Sequence, residues 1–204
     1  AMYVSEVAFW THRALWQLLF SGKFDKFPGL KYCVVECGSW WVGDLLWKAD
    51  VNFGASWKIK KMSSRMKGLL TKLPSEYFGD SVFIGASTMS RYEIRERHRH
   101  GIDALMWGTD YPHPEGSWPN TVHRLENDFQ DVSIEDTRRL LGLNAIECYD
   151  LDVEGLTTVA NRVGPTPEKL NQDPSLRTSP TAKRDARWWF DEYGIEWSGP
   201  ENGL

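Results

Sequence analysis

A chain of 204 residues, 41% hydrophobic and 25% charged, is long enough for one soluble globular domain with a real core. Its formal net charge of -4 gives no general reason to expect nucleic acid or an anionic membrane as a partner. No apolar run approaches the roughly 18 residues of a membrane span, and Glu6, His12 and Arg13 interrupt the N-terminal apolar residues, so no signal peptide is expected.

In chain order, helical spacing of Val7, Trp10, Ala14, Leu15, Leu18 and Leu19 predicts a helix over about 5–19, stopped by Gly22. After a Phe27-Pro28-Gly29 turn, Leu30–Glu36 is β-rich and reads as a first strand. Gly38 follows, and 41–50 reads as a helix with Val42, Leu45, Leu46 and Ala49 inward. Residues 52–80 read as irregular or partly helical and carry a basic cluster, Lys58, Lys60, Lys61, Arg65 and Lys67. That cluster is a solvated face or a device for steering an anionic substrate. A second strand is expected over 81–86, a helix capped by Ser90 running to His100 with Gly101 as its stop, and a third strand over 104–109. Helices follow over 121–129 and 134–141, the latter capped by Ser133, with a last helical turn over 144–149. Strands alternating with helices imply a parallel α/β sheet. Beyond about residue 155 the chain turns polar and proline-punctuated, with Trp188-Trp189-Phe190 and Trp197 near its end. We therefore expect a body over 1–154 and an extension over 155–204 that docks on that body or on an oligomer partner.

Candidate chemistry gathers where strands end, because in parallel α/β folds the loops after the strands carry the site. Asp110 closes the apolar run before Tyr111-Pro112-His113-Pro114; it reads as a metal ligand or proton carrier, or as an aspartate bracing a turn. Prolines on both sides of His113 fix its backbone, so this histidine binds substrate, shuttles a proton, or simply braces the loop. Glu36 ends the first strand as Asp110 ends the third, either as a second carboxylate on the same rim or as a salt-bridged structural residue. Ser87, after the second strand, also faces that rim. Of the 11 tryptophans, Trp40, Trp41, Trp107 and Trp118 lie near strand ends, where they line an aromatic pocket or fill core; Trp40 and Trp118 are taken as substrate contacts. His98 and His100 form an H-x-H at a helix end, where positions two apart diverge and do not chelate one ion. Cys33, Cys37 and Cys148 form no C-x-x-C and read as reduced thiols of a cytoplasmic protein.

Three segments carry a resemblance: Leu73 to Phe78, Phe83-Ile84-Gly85-Ala86-Ser87, and Leu105 to Pro119 with its Trp-Gly-Thr-Asp-Tyr-Pro-His core. Together they look like the C-terminal half of the amidohydrolase-2 family, and Leu140 to Ala145 resembles the closing helix of that family. The resemblance covers roughly residues 25–150. It implies a partial (β/α)8 barrel, with this chain providing strands resembling the sixth to eighth. It also implies a divalent metal, zinc first with manganese or magnesium as alternatives, bound at the position of Asp110. Decarboxylase-like members carry a histidine in an H-G-G context after the sixth strand, where this chain has Glu36-Cys37-Gly38. The family's H-x-H or E-x-H after the first strand has no counterpart here.

The expectation is therefore the C-terminal part of a metal-dependent enzyme that hydrolyses or non-oxidatively decarboxylates a small carboxylated, aromatic or cyclic substrate. Asp110, His113 and Glu36 would be its catalytic groups. A separate N-terminal half and a homo-oligomer are the expected protein partners. The alternative is a half-barrel without catalysis that serves binding or assembly.

Overall fold

The computed structural model describes residues 2–56, 69–166 and 170, with backbone only at 3–5, 7, 55 and 56. The basic cluster at 58–67 and the tryptophans at 188, 189 and 197 lie outside the described residues. By its contacts the chain divides into two units, Ala1–Pro174 and Ser175–Leu204, and the described residues all belong to the first.

The N-terminal helix α1, Met2–Leu19, buries Ala8, His12, Leu15 and Leu19. Their spacing of four, three and four keeps one stripe against the core. Trp10 and Ala14, expected on that stripe, turn outward instead, Trp10 with 70% of its surface exposed. A short α2, Lys23–Lys26, follows Gly22, whose φ of 70° suits glycine and whose hypothetical Cβ would collide with the Leu69 carbonyl.

Three parallel strands form one sheet in the order β1 (Tyr32–Val35), β2 (Val82–Gly85) and β3 (Leu105–Met106). Tyr32 pairs with Val82 and Val35 with Gly85; Ile84 pairs with Leu105. The parallel α/β expectation thus holds, but β3 is shorter than 104–109. Beyond Met106 the chain bonds alternately to two neighbours: Trp107 N donates to Leu140 O (2.9 Å), and Gly108 N to Ser87 O (3.0 Å).

The crossover helices cover one sheet face. Helix α3, Val42–Ser56, buries Val42, Leu46, Ala49 and Phe53, and α4, Arg91–Arg95, buries Ile94; both pack with Val34, Val82, Ile84 and Leu105 in the main core. Because strand side chains alternate faces, Cys33, Phe83 and Met106 point the other way and form a smaller cluster with Cys148 and Ala145. Helix α4 ends five residues before the expected His100, and Glu96–His100 continue as turns up to Gly101 at φ 81°. Its predicted cap is real: Ser90 and Glu93 form a reciprocal capping box.

Helices α5 (Thr121–Phe129) and α6 (Ile134–Arg138) lead through a π-helical turn, Arg139–Leu143, into α7 (Asn144–Tyr149). The expected single helix over 134–141 is thus interrupted. The widened turn lets this segment cap the outer edge of β3: besides Leu140 O, the buried Asn144 gives its Nδ2 to Ile102 O and Leu105 O, both at 2.7 Å. Helix α8, Val153–Val163, crosses residue 155, where the sequence suggests only a polar extension; its N-cap Asp152 accepts from Glu154 N and Gly155 N. None of the described helices is long and apolar enough to cross a membrane.

Candidate functional site

Backbone geometry singles out the strand ends. Among the described residues, four non-glycine positions have positive φ: Glu36 (57°), Ser87 (53°), Asp110 (57°) and Asp150 (52°). Asp150 is the left-handed cap that closes α7, an ordinary use of that conformation. The other three stand one after each strand, and all three are candidate site residues from the sequence. Left-handed non-glycine backbone costs on the order of 1–3 kcal/mol per residue and clusters where a site dictates conformation. Hydrogen bonds hold these turns in mutual register: Glu36 N donates to Gly85 O (3.0 Å), Ala86 N to Met106 O (3.0 Å) and Gly108 N to Ser87 O.

The third turn is the most built. His113 N donates to Asp110 O (2.8 Å), Gly116 N to His113 O (2.9 Å), and Ser117 N to Thr109 O (2.9 Å). The loop is thereby folded onto itself between the cis bonds Tyr111–Pro112 and Trp118–Pro119. Asp110 Oδ2 lies 3.4 Å from His113 Nδ1; the carboxylate is mostly shielded, whereas the imidazole is largely exposed. His113 Nδ1 also lies 3.5 Å from Glu115 N. One ring nitrogen either donates to the carboxylate or accepts from the amide, not both, so protonation of Nδ1 selects the Asp110 partnership.

Glu36 and Trp40 are exposed on the first turn, Trp40 at 50%. That loop is pinned by a residue with no local signal for the role. The buried Glu93 carboxylate receives Ser39 N (2.5 Å), Ser39 Oγ (3.1 Å) and Trp40 N (3.2 Å) on Oε1, and Ser90 N and Oγ (both 2.8 Å) on Oε2. It clamps the loop after β1 to the loop after β2. The Ser90 cap is visible in the sequence, but nothing local shows that the Glu93 carboxylate completing it also reaches across to Ser39.

A pocket of about 220 Å³ opens beside the strand ends, lined by Val35, Gly85, Ser87, Trp107, Gly108 and Tyr149 among others. Of the expected substrate contacts, Ser87 lines it; Trp40 and Trp118 do not. Trp118 is 68% exposed and packs edge-on against Tyr111, with ring centroids 5.9 Å apart. Trp107 and Tyr149 supply the aromatic walls. A larger cavity, about 560 Å³, lies away from these turns, among Gly43, Asp44, Trp47, Ser75, Arg99 and Asp103. The strand-end chemistry points to the smaller one.

As metal donors, Asp110 and His113 are two groups, fewer than the roughly three protein ligands of a catalytic zinc. Among the described residues no cluster of three or more His, Cys, Asp or Glu side chains is placed to hold a metal, so these residues alone do not fit a complete metal centre. His98 and His100 diverge as expected: His98 Nε2 lies 3.1 Å from Asp136 Oδ2, while His100 is fully buried. The three cysteines are free thiols.

A family model described as Amidohydrolase matches residues 8–151, well over half of the chain. Two solved structures share the fold at a TM-score of 0.51 each. One is the 5-carboxyvanillate decarboxylase LigW from Sphingomonas paucimobilis, 24% identical, the alignment covering 68% of this chain and 39% of that one. The other is the amidohydrolase map2389c from Mycobacterium avium subsp. paratuberculosis K-10, 23% identical, covering 70% and 34%. This chain thus spans well under half the length of either. A search of curated proteins finds no significant match.

Proposed function

From the premise that this chain belongs to the amidohydrolase family, we propose that it forms the last three strand ends, the sixth to eighth, of a (β/α)8 enzyme. That enzyme hydrolyses or non-oxidatively decarboxylates a small carboxylated, aromatic or cyclic substrate. The observation that carries this reading is the row of left-handed residues Glu36, Ser87 and Asp110 at successive strand ends. Such conformations cluster where a site dictates backbone geometry, and here one follows each of the three strands.

In this reading Asp110 is one ligand of a divalent metal, zinc first, whose other ligands come from outside the described residues. Such a metal lowers the pKa of bound water or polarises the substrate. His113 and Glu36 handle protons or orient substrate at the rim, and Ser87 meets the substrate in the pocket that Trp107 and Tyr149 wall. Trp40 and Trp118 reach only a substrate that extends beyond that pocket. The remaining strands are supplied by further polypeptide along the open edge of β1.

A second reading, a non-catalytic half-barrel, draws on the capped edge of β3. Leu140 O and Asn144 occupy the backbone groups to which a further strand would pair. The two readings part in one assay. Co-expression with an N-terminal barrel segment of the family should yield a complex that turns over a small aromatic or cyclic carboxylate, and Asp110→Asn should abolish turnover. A stable complex with equal turnover in both forms would overturn the enzyme reading of Asp110.

A further inference from the structure

The geometry points to a redox-modifiable thiol pair, Cys33 and Cys148, which a peroxide converts to a disulfide tying β1 to α7. Cys33 lies on the sheet face turned away from the main core, and Cys148 belongs to the cluster of Phe83 and Met106 on that same face. The hydroxyl of Tyr149, next in sequence to Cys148, donates to Cys33 Sγ at 3.4 Å. Two cysteines far apart in sequence are thus brought into one cluster by tertiary structure alone. Cys37 is not a rival partner in the fold. Its Sγ bonds Thr11 Oγ1 at 3.2 Å and its side chain packs on the main core, on the other side of the sheet from Cys33 and beyond the end of β1.

The two thiols are unequal. Cys33 is half-buried, so a small oxidant reaches it, whereas Cys148 is buried. Burial, and after it the neighbouring Cys33, push the Cys148 thiol up to about 12. Tyr149 is held protonated by its bond to Cys33 and by burial, which keeps it a donor to that sulfur. Lys31, with Nζ 5.8 Å from the Phe83 ring centroid, adds positive charge beside the pair.

Oxidation proceeds in two steps. Cys33 sulfur attacks hydrogen peroxide; an S–O bond forms, the O–O bond breaks, and water leaves. Cys148 sulfur then attacks the resulting sulfenic acid; the S–S bond forms, the S–O bond breaks, and the hydroxyl leaves as a second water with the Cys148 proton. Two thiols are oxidised and one peroxide is reduced to two waters. The product closes a 116-residue loop, counting Cys33 and Cys148, a cross-link of the length that constrains an unfolded chain strongly.

The test is titration of the full chain with hydrogen peroxide, followed by thiol counting and non-reducing peptide mapping. Free thiols, counted in denaturant after quenching, should fall from three to one, with Cys37 still alkylated and Cys33 joined to Cys148. Dithiothreitol should restore all three. Cys37→Ser should leave the cross-link intact, and the oxidised chain should unfold at higher urea concentration than the reduced one. Sulfinic acid accumulating on Cys33, or a Cys33–Cys37 bridge in the native chain, would overturn the proposal. So would a Cys33–Cys148 yield unchanged when oxidation is carried out in unfolding urea, where the short Cys33–Cys37 loop is entropically favoured.

Discussion

Asp110 and His113 face each other within a single turn: the carboxylate Oδ2 stands 3.4 Å from the imidazole Nδ1, and the His113 amide donates to the Asp110 carbonyl at 2.8 Å. The pair is held by its backbone rather than by its side-chain contact. The loop can therefore keep Asp110 in place while His113 changes its proton or its partner.

Gly116 is the keystone of that loop. A Cβ there would meet the carbonyl oxygens of Thr109, Asp110 and His113 at 2.8, 2.9 and 2.9 Å, all of them rigid backbone. Gly116→Ala should destabilise by about 1–3 kcal/mol, as overpacking does. In urea unfolding the midpoint should fall, and in hydrogen exchange the amides of His113 and Ser117 should lose protection first.

Glu93→Gln replaces a carboxylate that accepts five hydrogen bonds with an amide whose NH2 confronts donors. Hydrogen bonds to charged groups contribute about 1.5–3 kcal/mol, and the loss should be at least of that size in urea unfolding. Hydrogen exchange at Ser39 and Trp40 should accelerate more than exchange in β2.

Asn144→Leu removes both donors from the edge of β3 and leaves Leu105 O unpaired, while Ile102 O keeps the Leu105 amide. The expected cost is about 1–3 kcal/mol, the penalty for one unpaired buried carbonyl, read as a lower thermal midpoint. If Asn144 contributes only packing, the near-isosteric leucine will be neutral.

His100 is fully buried and neither of its ring nitrogens has a partner among the described residues. Burial lowers its pKa, outweighing the nearby carboxylates of Glu93, Glu96 and Asp44; burial lowers His12 as well. In the unfolded chain both imidazoles take up protons near pH 6.5, so between that pH and the lower folded values the unfolded state binds more protons. Stability is therefore complete above about pH 6.5 and falls as pH drops below it. Urea midpoints at about pH 7.5 and 5.5, on either side of that value, should show this loss, and His100→Gln should reduce the difference between them.

Much of this was legible in sequence because local rules and tertiary demands agree. The Ser90 and Ser133 caps, the bounds of α5 and α7, and the strand–helix alternation all follow from spacing and capping chemistry. What escaped depends on contacts distant in sequence. Helix α4 stops early because Glu93 is drawn to the Ser39 loop while Arg97 and His98 turn to Asp136. Likewise β3 is short because Leu140 and Asn144 take over its edge. The site shows the same division: Glu36, Ser87 and Asp110 could be placed at strand ends and Trp107 near them, but the shared backbone conformation could not be read from side-chain pattern, and neither could the pocket wall Tyr149.

The proposed role of Asp110 is as this chain's contribution to a metal centre completed by other residues. Zinc titration of the complex with an N-terminal barrel segment, read by calorimetry, tests it most directly. One zinc should bind per complex, with affinity in Asp110→Asn lower by more than the roughly 10–100-fold that losing an outer-shell partner costs. Equal zinc affinity in the two forms would contradict it.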